Sequence, residues 1–251
     1  MNRRGEATRE ALYAAFGELV FARPMAMCDL VDVVTAARVS KGAFYAQFRG
    51  IDDLAAGFLE AEFKRAYEVV RSRVDAHGPS LELLVALVFE STAYLLTTPR
   101  FHAALLVQAE IGRDMCDSSD FDRWRNVLDG ILQHAQETGD IRADVDVAAF
   151  ADFFLAAWTG ARFLSDVTVT QDELPRRVTS MLRFALSPIL TPSRAYYFDL
   201  YIDRYQTRLP AVDRNQYARR SPALCVCAPG EVVTPAADLW RRGGADPTDR
   251  N

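Results

Sequence analysis

Apolar residues recur at three- and four-residue steps through most of this chain, and polar residues fill the intervals. Leu12, Phe16, Leu19 and Val20 form the first stripe and predict an amphipathic helix over residues 6–22, ended by Pro24. Leu30, Val31, Val33 and Val34 predict a short second helix, opened by Asp29 as a capping residue and finished near Ala37 and Arg38. Ser40 offers the same kind of cap to a third helix over residues 41–47, with Phe44 and Phe48 four apart on one face. Leu54, Phe58, Leu59 and Phe63 begin a longer fourth helix, expected to reach about residue 74 before "HGPS" stops it.

Helical spacing continues over residues 81–97, 100–113, 121–137, 146–165 and 173–187, and no hairpin pattern competes with it. The expectation is an all-α protein: a three-helix unit over residues 1–50, then a helical body over residues 51–190. Within the body, "DFFLAAWTGARFL" is apolar on nearly every side, which fits either a central core helix or a face closed by a second copy of the chain. From Thr191 onward prolines, glycines and tyrosines accumulate. Residues 191–251 are therefore expected to form a partly irregular extension in which "YYFDLYIDRY" is the stretch that packs.

Composition adds limits. Half the residues are hydrophobic and a quarter charged, an ordinary globular balance. No apolar run is seen to approach the roughly 20 residues that cross a bilayer, and no apolar segment follows the N-terminal charges. A cytoplasmic protein without membrane contact is expected. Cys28, Cys116, Cys225 and Cys227 show no C-x-x-C spacing, and His77, His102 and His134 stand at unhelpful distances, so neither a metal site nor a disulfide framework is expected. No cofactor motif is present. Nor is there a recognisable catalytic triad, carboxylate pair or phosphate loop, which argues against an enzyme.

The net charge of −5 is unevenly spread: residues 1–50 are net +2 and the remainder net −7. A polyanion would be met by one end of the molecule and repelled by the other. That end contains "VSKGAFYAQF", residues 39–48. A short helix, a tight turn and a second short helix opening on Ser-Lys-Gly is the arrangement of a helix-turn-helix DNA reader. There the Ser40 hydroxyl can face a phosphate, Lys41 supplies a cation, Gly42 permits close approach, and Ala43 is small enough to meet a thymine methyl. Tyr45 can donate its hydroxyl to a phosphate, and Gln47 suits bidentate reading of a base. Phe44 and Phe48 should turn inward. A capped, well-packed helix with a solvated Lys and Tyr would satisfy the same ten residues.

Following "ALYAAFGELVFAR" and preceding "DDLAAGFLE", this segment resembles the TetR family of transcriptional regulators over roughly residues 7–60. The resemblance implies a DNA-binding head followed by a ligand-binding and dimerisation body, hence a homodimer on a near-palindromic operator. Arg38 stands at a turn position where that family usually has glycine, and Gly50-Ile51 replaces its usual serine-lysine; Arg38 and Arg49 could each contact a phosphate. Farther on, "FDRWRNVLDGILQHAQETGDIRADVDVAAFADFFLAAWTGARFLSD" is similar to the γ-butyrolactone receptor subfamily, repressors released by a small lactone or butenolide and tied to secondary metabolism. This resemblance implies an effector pocket with Trp124 as an aromatic wall and Thr159 as a hydroxyl for a lactone carbonyl. Arg162 and Glu62 stand where members of the subfamily carry glutamine. Trp158 is read as a core residue; Phe121, Phe153 and Phe163 could line the same cavity, but aromatics at helical spacing are more often core. A regulator of drug efflux, or a helical binding module without DNA affinity, are the competing readings.

Overall fold

The computed structural model describes residues 3–111, 118–168 and 170–210, and these fold into ten α-helices with no strands among them. Helices α1 (Arg3–Ala22), α2 (Leu30–Ala36) and α3 (Lys41–Tyr45) make the head. Helix α4 (Ile51–His77) leads into the body, formed by α5 (Leu81–Thr97), α6 (Pro99–Ile111), α7 (Ser118–Glu137), α8 (Val147–Val167), α9 (Leu174–Leu186) and α10 (Pro192–Gln206).

Local chemistry fixes the head. Asp29 accepts from the Asp32 amide at 2.8 Å, and the Asp32 side chain returns the bond to the Asp29 amide, a reciprocal cap that starts α2. Ser40 Oγ accepts from the Ala43 amide at 3.1 Å and starts α3. Gly50 provides no side-chain cap for α4; the Asp53 carboxylate instead reaches back to the Arg49 amide at 2.8 Å. Phe16, Phe44 and Phe58 are fully buried from three different helices, and Tyr13 packs on Phe48 and Phe58 with ring centroids 5.6 and 6.0 Å away. Gly57 permits this approach, since a Cβ there would lie 2.7 Å from the Tyr13 hydroxyl.

Helix α1 lies along α6, so the head rests on the body through an extended helix pair. Gly78, at φ 74°, ends α4 in the left-handed conformation that glycine accepts without strain. The sharp bend at "TTPR" places α5 and α6 97° apart. The "YYFDLYIDRY" stretch is helical throughout and packs: Phe198 and Ile202 are buried, and Tyr205 stacks on Phe89 of α5 with centroids 6.0 Å apart. Arg194 ties the start of α10 to Asp140 and Glu82. The irregular part expected downstream lies beyond the described residues.

One expectation changes. Val147–Asp166 of α8 reaches a mean hydropathy of 1.3 over a span long enough to cross a bilayer. Asp152 and Arg162 interrupt the apolar run, yet the average over the helix absorbs them. In the fold this helix packs beside α7 and α9 within the bundle.

Candidate functional site

Two regions carry polar chemistry beyond what the core requires. The first is the head. Arg38, in the turn between α2 and α3, holds φ 54°, the one left-handed non-glycine among the described residues. Its side chain is exposed, as are those of Ser40, Lys41, Tyr45 and Arg49. Tyr45 is 61% exposed even though its ring edge meets Phe44 at 5.5 Å, so the hydroxyl is free to face a partner. Gly42 is exposed and Ala43 half-buried.

Gln47 is placed differently from its neighbours. It follows the end of α3, is half-buried, and its Oε1 accepts from Arg9 Nε of α1 at 3.3 Å. Arg9 also sits over the Phe48 ring at 5.7 Å. Gln47 therefore faces α1 in this structure, and reading a base requires the bond to Arg9 to be exchanged. Cys28, buried behind α2, has its thiol pushed up by burial, opposed by the Arg23 guanidinium, so it behaves as an apolar core residue.

The second region is a half-open cavity of about 780 Å³ between α4, α5, α6, α7 and α8. Its wall is mostly apolar, including Phe63, Val88, Phe101, Leu128, Ile131 and Phe154. Trp124, Thr159 and Arg162 all line it. Trp124 is half-buried and edge-on to Tyr67, centroids 5.9 Å apart, which fixes its ring plane. Trp158, read as core, lines the same cavity one helical turn before Arg162. Phe153 and Phe163 are not core: they are 55% and 49% exposed. The Phe121 side chain lies outside the described residues.

Glu62 is not part of the cavity wall. It is 2% exposed and its Oε1 accepts from Arg100 Nε at 2.6 Å and from Arg65. The same two arginines reach Glu10 of α1, Arg65 at 3.0 Å. Helices α1, α4 and α6 are thus joined by four charged side chains at the level where head meets body. The hydrogen bond from Arg100 holds the Glu10 carboxyl below its ordinary value, while desolvation pushes the other way.

A further cluster lies beside the cavity. His102 of α6 is fully buried, with Nε2 2.6 Å from Asp166 Oδ1, and Arg162 Nη1 donates to Asp166 Oδ2 at 3.2 Å. The Arg162–Asp166 spacing is the i,i+4 signature of a helical ion pair and is visible in sequence. His102 is 64 positions away from Asp166, and only the fold brings it in. Among the described residues no group of histidine, cysteine and carboxylate side chains could hold a metal ion.

A charged helix-turn-helix head, joined through α4 and α6 to a helical body with an apolar cavity, is the architecture of a helix-turn-helix transcriptional regulator. Comparison with known proteins is consistent with that class. Residues 118–181 match the family model described as "Tetracyclin repressor-like, C-terminal domain". The chain is 25% identical over 153 residues to the HTH-type transcriptional repressor DhaR of Mycobacterium sp. (strain GP1), covering 59% of this chain and 77% of that one. It superposes on CprB of Streptomyces coelicolor, solved with its biological operator sequence, with a TM-score of 0.66 at 27% identity, over 81% of this chain and 98% of that one. A γ-butyrolactone receptor described as ArpA-like shares the fold with a TM-score of 0.67 at 24% identity, over 82% and 99% of the two chains. The chain is similar to TetR-family transcriptional regulators, and its fold is that of the γ-butyrolactone receptors.

Proposed function

We propose that the protein is a homodimeric repressor that binds a near-palindromic operator through two heads and is released when a small signalling molecule fills the cavity. The observation that carries this reading is the half-open 780 Å³ cavity, whose walls include the two helices, α4 and α6, that also contact α1 of the head. Its volume lies within the range of roughly 300–1,000 Å³ usual for small-molecule sites. An occupant that spreads α4 and α6 alters the direction in which each head points. In a dimer the two recognition helices must enter successive major grooves about 34–36 Å apart, so a small change of angle at the body abolishes simultaneous contact. To move the population from about 1:99 to 99:1, the occupant must favour the released state by roughly 5.5 kcal/mol.

On the head, Arg38, Ser40, Lys41 and Tyr45 are assigned to phosphates, and Gly42 and Ala43 to the closest approach to the bases. Gln47 reads a base once it leaves Arg9. The cavity assignment is Trp124 as aromatic wall, Thr159 as hydroxyl donor and Arg162 as the charged end, with Glu62 acting indirectly through the α1–α4–α6 junction. The reading places the protein in the cytoplasm, where its operator would be, and assigns it to secondary metabolism, which the similarity to signalling-lactone receptors supports.

Selection of bound fragments from the source genome at several salt concentrations tests the reading. An enriched palindrome supports it. Lys41→Ala and Tyr45→Phe should weaken binding across sequences, the former lowering the salt slope by about one unit, while Gln47→Ala should change the preferred sequence. Absence of enrichment even at low salt overturns it.

A further inference from the structure

The effector cavity is apolar except for one feature that apolar contacts do not explain. Of its charged lining residues, Arg65, Glu68 and Glu90 lie on α4 and α5 and are not buried; Arg65 and Glu90 are already paired, with Glu10 and Glu62 and with Arg73. Arg162 is different: it is only 4% exposed. Burial pushes its guanidinium below the usual arginine range, and Asp166 opposes that push.

A guanidinium so placed has lost most of its water, a cost of several kcal/mol in effective terms. Asp166 offsets part of it, but that carboxylate also bonds His102, and its bond to Arg162 uses only Nη1. Arg162 Nε is buried and has no hydrogen-bond partner within the protein, so a ligand engages it once the guanidinium turns toward the cavity that Arg162 lines. A planar fork with an unused N–H beside an apolar cavity matches a planar two-oxygen anion. A neutral lactone carbonyl needs only one ordinary donor, which Thr159 already offers on the same wall.

We propose that the cavity takes an apolar molecule ending in a carboxylate, with Arg162 binding the carboxylate and the tryptophan and aliphatic side chains covering the hydrocarbon. This rests on reading the cavity as an effector site and narrows the effector to an anion. Such an acid could be a simple alkanoate or the 4-hydroxy acid formed by opening a γ-lactone. The two differ only in the hydroxyl, for which Thr159 and Gln108 are the nearby polar partners on the lining.

Titration of the full chain with decanoate, 4-hydroxydecanoate and γ-decalactone, followed by tryptophan fluorescence and calorimetry, tests the assignment at fixed pH. Both acids should bind at least about tenfold more tightly than the lactone, which is a difference of about 1.4 kcal/mol. A further gain for the hydroxy acid over decanoate identifies the opened lactone as the source, and equal binding of the two identifies a simple alkanoate. The variant Arg162→Gln/Asp166→Asn removes both charges together, so no buried carboxylate is left unpaired, and it should bring acids and lactone within about twofold of each other. If Arg162 serves only to hold α8 through Asp166, the variant lowers the melting temperature and leaves the selectivity unchanged.

Lactone binding as tight as acid, unchanged selectivity in the variant, or no binding of any of the three probes overturns the proposal. The wild-type comparison needs no variant to fold. Operator binding assayed in the same preparation separates the two readings. Intact salt-dependent DNA binding with no acid preference removes only this inference, whereas acid binding without DNA binding removes the regulator reading and leaves the site.

Discussion

Arg38 holds a conformation that glycine would accept freely. A left-handed residue with a Cβ costs roughly 1–2 kcal/mol. Replacing it with glycine relieves that strain but restores about 0.4–1 kcal/mol of freedom to the unfolded chain, so the two effects nearly cancel. Arg38→Gly should therefore leave the melting temperature almost unchanged or slightly raised. If the side chain is retained for a phosphate, the same variant weakens DNA binding and flattens its salt dependence; unchanged binding would assign the residue to no contact. Trp124 gives a second test at this scale. Its ring is positioned by Tyr67 and lines the cavity, so Trp124→Ala removes wall area without touching the head. Effector affinity should fall by tenfold or more while operator affinity holds, as measured by calorimetry and fluorescence anisotropy.

At the scale of elements, most helices could be read from spacing because each buries one stripe. Leu81–Thr97 has the bounds its periodicity predicts, and α1, α7 and α8 differ from theirs by a few residues. Helix α3 stops at Tyr45 rather than residue 47, since Gln47 turns toward Arg9 instead of extending the helix. Trp124, Thr159 and Arg162 could be placed together because they fall on two helices with a shared resemblance. Trp158 is hidden by the generality of aromatic spacing in cores, and the junction role of Glu62 by the 38 positions that separate it from Arg100. Glu10 and Arg100 are 90 positions apart, and no local pattern relates them. Their junction makes a pH prediction. Because the folded Glu10 carboxyl titrates below its ordinary value, its contribution is present above that ordinary value and is lost as pH falls through the lower folded one. Glu10→Gln should therefore make the melting temperature less sensitive to pH below the usual carboxylate range. Thermal denaturation as a function of pH measures this, and a pH dependence identical to wild type would mean the ion pairs contribute nothing at this exposed carboxylate.

For the whole molecule, the decisive feature is an apolar face that a single chain leaves open. Phe153, Phe163 and Leu164 of α8 are 55%, 49% and 49% exposed, and Phe184 of the adjacent α9 is 82% exposed. Fully burying a large apolar side chain gains about 1.5–3 kcal/mol, and these four forfeit about half or more of that, so their presence on two packed helices makes a strong case for a covering surface. A second copy of the chain, related by a twofold axis, presents the same face and would also set the head spacing an operator needs. The expected outcome in sedimentation equilibrium is a species of twice the 28.0 kDa chain mass. Phe184→Glu places a charge at the most exposed of these positions, where it costs the monomer little. It should shift the molecule toward single chains and lower operator affinity by two orders of magnitude or more, because each head then binds a half-site alone. The cavity lies within one chain, so effector binding should survive the substitution. A variant that still sediments as a dimer would move the interface elsewhere, and one that loses the cavity along with the dimer would show that the two chains complete the effector site together.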